Sequence, residues 1–510
     1  MSNPLKPLYV IIPMVGKGSR FKKAGYETYK PFISIEGQSM LAHALSAFPS
    51  DVQPIIITNQ ALITPQQQQY MEQTLGARVL FVPQHADGPA ASILAAREQL
   101  PLDASFFIAY CDIMWRWDFE TVRPLLDHDG VVFTHKGFHP HLVQDNFSAF
   151  CRPQKDQPNQ LAQIREKSSF TEAWMEEPLS IGSFYVKHGH RMIAALEQMV
   201  AEEQRVAGEF FPSLMFNHLV ADGASVALSQ VSFFIHFGVP DQLNDYLRWH
   251  HVLGVQAAPE APQLSSLPHN AVTMAGLGER MSAISQLPKA LIPIDGQPMY
   301  AHVAERFPSR GGSVITTEPL KPHLSVRPDG FELLVLPKPT RSQFETLQAL
   351  AQRLPETDNL YITSCDAYGV FDVEDLLKQV EQTEADAVIF CFAPSLMQKK
   401  LKGHHTHVSV DDGRVTKVHI KSFDQPDDPG LAGFFWLRDS RLLSQLSEVP
   451  HDATNEMCAD HFFKYLVDKG YRVLGYDLQQ YVHLGTVEEL LEYHWWSAHA
   501  DVLFSEEGPS

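Results

Sequence analysis

The chain has 510 residues, with 60 Asp or Glu against 40 Lys or Arg, for a formal net charge of −20. That field repels nucleic acid and anionic membrane, and no Lys/Arg run offsets it, so an anionic substrate would need a metal or a local basic pocket. Five cysteines without short-spaced pairs argue against a disulfide framework and a zinc cluster. No apolar stretch reaches the roughly 20 residues a membrane helix needs, so no membrane insertion is expected and the chain reads as cytoplasmic.

In chain order, residues 1–13 carry one short apolar run, 8–12, with no cleavage-like site, and read as a first strand rather than a signal peptide. Apolar runs at residues 9–15, 54–58, 79–82, 106–110 and 131–134 read as buried strands. Between them, residues 40–48 and 89–100 show helical spacing, the second with Ile93, Leu94 and Ala96 on one side. The glutamine run 66–69 reads as a solvated helix face, and residues 505–510 as a frayed tail. Strands alternating with helices imply βαβ units and a mostly parallel sheet. In such sheets ligands bind outside the carboxyl ends of the strands.

From residue 270 onward the pattern repeats. Gly16, Gly18, Ser19 and Arg20 followed by Lys30-Pro31 have counterparts in Gly276, Gly278, Arg280 and Lys289. The strand ending in Cys111-Asp112 matches the one ending in Cys365-Asp366. Lys167 and Gly182 match Lys421 and Gly433, and Glu209-Phe210 matches Glu456-Met457. His236, Gly238, Leu243 and Tyr246 match His483, Gly485, Leu490 and Tyr493. A solenoid would repeat every 20 to 50 residues or so, so two long units are the reading. We expect units at 1–252 and 270–504, joined by a proline-rich linker at 253–269.

The motif residues have plain physical uses. Glycines let the backbone turn sharply and bring N–H groups close to phosphate oxygens, and Arg20 can clamp those oxygens in a planar fork. The turn lacks the Gly-Lys-Ser/Thr ending of a P-loop, and position 21 is Phe where a dinucleotide fingerprint needs a third glycine. Lys30 can reach the same phosphates or stand as a solvated loop lysine. Asp112, at a strand tip, is either a Mg²⁺ ligand or a turn or N-cap aspartate. Glu166-Lys167 is either a hydroxyl and phosphate clamp or a surface ion pair of little energetic worth. Cys111 and Cys365 read as small buried packing residues.

Taken in order, the set resembles the sugar-1-phosphate nucleotidylyltransferases, or nucleotide-sugar pyrophosphorylases, over nearly the whole of each half. Ser19-Arg20-Phe21 with Gly25-Tyr26 is similar to a branch linked to bacterial surface polysaccharide synthesis. The resemblance implies two tandem Rossmann-like, glycosyltransferase A-type domains, each a mostly parallel mixed sheet flanked by helices. It implies transfer of a nucleotidyl group from a nucleoside triphosphate to a sugar or polyol phosphate, without a covalent enzyme intermediate. Under it Arg20, Gly16, Gly18 and Ser19 hold the β- and γ-phosphates, and Lys30 bridges nucleophile and α-phosphate. Asp112 carries Mg²⁺, and Lys167 binds the incoming phosphate. Glu166, Gly182 and Glu209 shape the sugar pocket, and Gln84 and Gly88 lie against the base.

The pattern also breaks. Where the family commonly has a second metal aspartate, this chain has His236 and His483. The metal is then softer (Mn²⁺), or one aspartate suffices, or the histidine binds phosphate or merely packs. In the second copy Lys-Pro has become Lys289-Ala290, and Ser342 and Phe344 replace Gly88 and Ala90, crowding a base-binding surface. Ile420 replaces Glu166 and removes a hydroxyl acceptor, although Gly276, Gly278, Arg280, Lys289, Asp366, Lys421 and His483 persist. The expectation is a catalytic first copy and a second that is degenerate, regulatory or specific for another substrate. The halves could pack as a pseudo-dimer, or the chain form a homo-oligomer. Two rival readings are a nucleotide-sugar-dependent glycosyltransferase, against which Met114 stands where Asp-x-Asp would place an aspartate, and a non-catalytic nucleotide or sugar-phosphate sensor.

Overall fold

The computed structural model describes residues 7–143, 148–254, 267–276, 278, 281, 284–354, 356, 358–400, 405–422, 425, 428–452 and 456–504. The chain divides into two compact units, Met1–Leu247 with Asp501–Ser510, and Arg248–Ala500. The expected boundary at residue 252 falls inside the helix Pro240–Gly254. Residues 255–266 of the expected linker and the tail 505–510 lie outside the described residues.

In the first unit β1 (Leu8–Pro13), β2 (Val52–Thr58), β3 (Arg78–Phe81) and β4 (Ser105–Ala109) are the runs read from sequence as buried strands. They pair in parallel in the order β3-β2-β1-β4. Ile11, Ile55, Ile57, Phe106 and Ile108 are fully buried because helices cover both faces of a parallel sheet. The second half of the unit adds β5 (Ile113–Arg116), β6 (Gly130–His135), β7 (Ala149–Pro153), β8 (Leu161–Glu166), β9 (Leu179–Val186), β10 (Val226–Gln230) and β11 (Phe233–His236). β9 runs antiparallel to β4, β6 and β7, and β8 pairs antiparallel with β7, so the sheet is mixed. β5 and β11 form a separate antiparallel pair that sets His236 opposite Ile113.

Two helices read from sequence are present but shorter. Residues 40–48 give the helix Met40–Leu45, capped by Ser39, and residues 89–100 give Pro89–Ala95 followed by a tighter turn, Arg97–Gln99. The glutamine run lies in the helix Pro65–Gln69, whose N-terminus Thr64 and Gln67 close as a reciprocal capping box.

The second unit repeats the plan. β12 (His269–Thr273), β13 (Gly312–Thr317), β14 (Phe331–Leu336) and β15 (Asp358–Ser364) form the parallel block β14-β13-β12-β15. β16 (Ala367–Val370), β17 (Ala387–Phe392), β18 (His407–Asp411), β19 (Arg414–His419), β20 (Gly430–Asp439), β21 (Val473–Asp477) and β22 (Gln480–His483) follow. β16 and β22 pair antiparallel and set His483 opposite Ala367, one residue past Asp366.

Candidate active site

The glycine turn leaves the end of β1. Gly18 sits at φ 62, a left-handed conformation that costs glycine little, and a Cβ there would come within 3.2 Å of Lys30 Cβ. The Tyr29 hydroxyl holds the turn, donating to the carbonyls of Met14 at 2.9 Å and Gly16 at 2.8 Å. Ser19 and Arg20 start a short helix, Ser19–Lys23, with both side chains exposed.

Lys30 enters from the turn Lys30–Phe32, where Pro31 is buried. Its Nζ lies 2.5 Å from Asp112 Oδ2 and 3.3 Å from the Gly238 carbonyl. Asp112 sits in the tight turn between β4 and β5, but its carboxylate is committed to Lys30 rather than to a helix N-terminus. Burial alone would raise its pKa, but the Lys30 charge and hydrogen bond, with His236 nearby, bring it below the ordinary carboxylate value. His236 is held neutral at pH 7: burial lowers its pKa to about 4, and the attraction of Asp112 recovers only part of the loss. Its Nε2 lies 3.4 Å from the Ile181 carbonyl.

The opposite wall carries Glu166 and Lys167. Glu166, at the end of β8, accepts the Ser213 hydroxyl at 2.5 Å, and burial pushes its pKa up. Lys167 takes φ 55, and its Nζ sits 4.5 Å from the centre of the Phe211 ring. The two side chains thus face separate partners rather than closing as a surface ion pair. A left-handed lysine costs of order 1–3 kcal/mol, a strain that clusters at functional sites.

Gly182, at a bulge in β9, has φ 86, and a Cβ there would lie 2.6 Å from Ile113 Cδ1 and 2.8 Å from Tyr110 Cδ2. Gly88 has φ 92, and a Cβ would come within 2.8 Å of both Glu209 Cβ and the Phe210 backbone. The Phe210 N–H donates to the Asp87 carbonyl at 2.7 Å, so the loop bearing Glu209 is tied to the loop bearing Gly88.

One crevice of about 470 Å³ is lined by Gly16, Gly18, Ser19, Arg20, Lys30, Gly88, Asp112, Glu166, Lys167, Gly182, Glu209 and His236. Gln84 does not line it. That residue is exposed, and His85 and Ala86 take the crevice side of the loop. The His85 ring is fixed at both nitrogens, Nδ1 accepting from the Asp87 N–H at 3.2 Å and Nε2 lying 3.1 Å from Ser92 Oγ. Cys111 also lines the crevice, only partly buried, but burial lifts its thiol to about 12 and removes it as a nucleophile at neutral pH. Sequence reading missed Tyr29, His85, Ser213 and Gln242, the last of which lines the crevice and accepts the Val239 N–H at 3.2 Å. Their roles come from contacts made only in the folded chain, although comparison of the two copies at Gln242 and Glu489 held a signal.

In the second unit Lys289 Nζ lies 2.6 Å from Asp366 Oδ2, and Gly278 has φ 64. Gly276 is described, whereas Arg280 lies outside the described residues. His483 differs from His236. Its Nδ1 lies 2.5 Å from Glu489 Oε2 and its Nε2 3.8 Å from Asp366 Oδ2. Burial would lower its pKa, but the Glu489 carboxylate and then Asp366 outweigh burial and raise it. Phe344 does not crowd a binding surface. It packs into the core of the unit, and Ser342 caps the helix Gln343–Ala351 through the Glu345 N–H.

The MobA-like NTP transferase domain matches residues 10–203 and again residues 271–452. The chain belongs to this family. It is a tandem-duplicated nucleotidyltransferase, and members of the family generally use a divalent metal. No curated protein matches it. Among solved structures it is similar to the nucleoside-diphosphate-sugar pyrophosphorylase from Vibrio cholerae, at 20% identity and TM-score 0.41 over 47% of this chain and 100% of that one. It is also similar to the inositol-1-phosphate CTP transferase from T. maritima, at 16% identity and TM-score 0.38 over 46% and 97%. A UDP-glucose pyrophosphorylase complexed with UDP-glucose matches at 13% identity and TM-score 0.39, over 46% and 99%. Among the described residues no helix is long and apolar enough to cross a membrane.

The chemistry of the donor set fits a divalent ion. Asp112 offers a carboxylate and His236 a neutral imidazole, and among the described residues no group of three or more His, Cys, Asp or Glu is placed to hold a metal ion. Two protein donors suit a cation that keeps water and substrate phosphate as its other ligands.

Proposed function

We propose that the first unit transfers a nucleotidyl group from a nucleoside triphosphate to a sugar-1-phosphate or polyol phosphate, with release of pyrophosphate. The observation that carries this is the convergence of Arg20, Lys30, Asp112, Glu166 and Lys167 on one crevice. Triphosphate and acceptor phosphate together bring many negative charges, and a chain of net charge −20 meets them with four cations in one place, Lys17, Arg20, Lys30 and Lys167.

An acceptor phosphate oxygen attacks the α-phosphorus, the bond from the α-phosphorus to the bridging oxygen breaks, and pyrophosphate carries that electron pair away. The protein supplies alignment and charge rather than a nucleophile. Arg20 and the turn at Gly16, Gly18 and Ser19 bind the leaving phosphates. Lys30 leaves its ion pair for the α-phosphate. Lys167 holds the acceptor phosphate, and Glu166, fixed by Ser213, accepts an acceptor hydroxyl beside Gly182 and Glu209. Asp112 and His236 would hold Mg²⁺, or the softer Mn²⁺, which when bound offsets phosphate charge. Gly88 lets the base loop approach closely, with His85 beside it in the place expected of Gln84.

Five free cysteines suit a reducing compartment, so the proposed setting is the cytoplasm. Supply of a nucleotide-sugar for surface polysaccharide is the role that the family resemblance suggests. The test is pyrophosphate release over a grid of nucleoside triphosphates and sugar or polyol phosphates with Mg²⁺ or Mn²⁺. A pair that reacts and loses activity about 100-fold or more with Asp112→Asn supports the assignment. Equal turnover by that variant refutes it.

A further inference from the structure

The acceptor end of the second unit is rebuilt rather than lost. Counting from Glu209-Phe210 and Glu456-Met457, Asp460 occupies the position of Ser213, while Ile420 occupies that of Glu166. In the first unit the Glu166 carboxylate accepts the Ser213 hydroxyl. In the second, Asp460 Oδ2 accepts the Thr406 hydroxyl at 2.6 Å. Thr406 stands where the first unit has Ala149. Ala149 pairs with Glu166 across β7 and β8, and Thr406 immediately precedes His407, which pairs with His419 across β18 and β19. The carboxylate–hydroxyl pair has survived with its partners exchanged. The carboxylate now comes from the helix Ala459–Asp468 instead of a strand end.

A tyrosine has changed sides as well. Tyr110 has Ser364 at its counterpart, and Phe234 has Tyr481. Tyr110 feels the charges of Glu166, Asp112 and Glu209, whereas Tyr481 feels those of Glu489, Asp366 and Asp460. Tyr481 lies 6.1 Å ring to ring from His483, whose Nε2 is 3.8 Å from Asp366 Oδ2, and His483 is 6.0 Å ring to ring from His405, the residue before Thr406.

Other features are unchanged. Lys421 has φ 48 against 55 for Lys167, and Gly433 φ 78 against 86 for Gly182. The Lys421 N–H donates to Thr406 Oγ1 at 3.3 Å, which links lysine, threonine and Asp460. Left-handed residues cluster at functional sites, and this lysine keeps that conformation in both units. The floor differs: among the described residues a Cβ on Gly433 would meet nothing within 4 Å, where one on Gly182 would strike Ile113 and Tyr110.

We infer that the second unit carries its own acceptor site, in which Lys421 binds the phosphate and Asp460 a hydroxyl of a hydroxylated monophosphate different in shape from the one taken by the first unit. The more open floor at Gly433 and the carboxylate on the opposite wall set that difference.

The test is calorimetric binding to the full chain with Asp112→Asn and Lys167→Ala disabling the first unit, so its outcome is separate from that of the pyrophosphate assay. The probes are inorganic phosphate, glucose 1-phosphate, myo-inositol 1-phosphate, glycerol 3-phosphate and ribitol 5-phosphate. At least one hydroxylated probe should bind about tenfold or more tightly than inorganic phosphate, the worth of hydrogen bonds to a carboxylate. Adding Asp460→Asn, which keeps an acceptor for Thr406 and so the fold, should remove that advantage but leave phosphate binding. Adding Lys421→Ala should weaken phosphate and the hydroxylated probe alike. The inference is overturned if no probe outbinds inorganic phosphate, or if the preference survives Asp460→Asn in a chain that melts like its parent.

Discussion

Replacing Lys30 by Met keeps most of its packing volume and leaves the Asp112 carboxylate without its cation. The pair is largely enclosed, with side-chain exposures of 13% and 22%. At 2.5 Å and an effective dielectric constant near 20, the gross attraction is about 6–7 kcal/mol. Desolvation of the two ions offsets several kcal/mol of that, so the net loss at pH 7 should be about 2–4 kcal/mol. For a unit of this size that is a fall of roughly 5–15 °C in the melting temperature of the first unit. The pH dependence fixes the cause. Asp112 has a depressed pKa in the folded chain, so its stabilisation is present above the unfolded value and lost as pH falls through the folded one. In Lys30→Met burial dominates and raises the pKa, and the carboxyl then destabilises the fold once it ionises. The gap between parent and variant should be widest near pH 7 and close toward pH 3, as followed by thermal melts across that range. A deficit of the same size at pH 3, or none at pH 7, would refute the assignment of this pair as the charge centre of the site.

Other outcomes follow from neighbouring contacts. Gly182→Ala meets both strain at φ 86 and contacts of 2.6 and 2.8 Å, whereas Gly433→Ala meets, among the described residues, strain alone. The first should cost about 2–5 kcal/mol and most of the turnover, the second about 1 kcal/mol, by denaturant titration. Glu166 has a pKa raised by burial and partly restored by Ser213, so Ser213→Ala should move the acid limb of the kcat/KM profile to higher pH; an unmoved limb would remove Glu166 from acceptor binding. His236→Asp exchanges a nitrogen donor for oxygen, and the ratio of activity with Mg²⁺ to activity with Mn²⁺ should rise several-fold, with no change counting against His236 as a ligand.

The parallel half of each sheet was legible because its strands are buried on both faces and read as unbroken apolar runs. β7, β8 and β10 were harder, since they alternate or carry polar residues, as in the partly exposed Ala162, Gln163 and Glu166 of β8. Gly16, Gly18, Lys30 and Asp112 could be picked out because each is chemically distinctive and appears twice. Ser213 could not, because an isolated serine carries no signal until the fold brings it to Glu166 from 47 residues away. Gln84 failed for a local reason. The loop after β3 is pinned by both nitrogens of His85, and that pinning turns the neighbouring side chain out to solvent.

Duplication also shows how one fold sets the charge of a buried histidine. Gln242 in the first unit corresponds to Glu489 in the second, and that exchange places an anion against His483 that His236 lacks. Burial is common to both rings, so the carboxylate decides: His236 stays neutral with a pKa of about 4, and His483 is raised. Gln242→Glu in the first unit should therefore move His236 upward, as read from its imidazole resonances in an NMR titration. Because a protonated imidazole cannot donate a lone pair, the same variant should weaken activity below the new pKa and recover it above. A His236 that still titrates near 4 would mean that Glu489 acts on His483 through a geometry the first unit does not share.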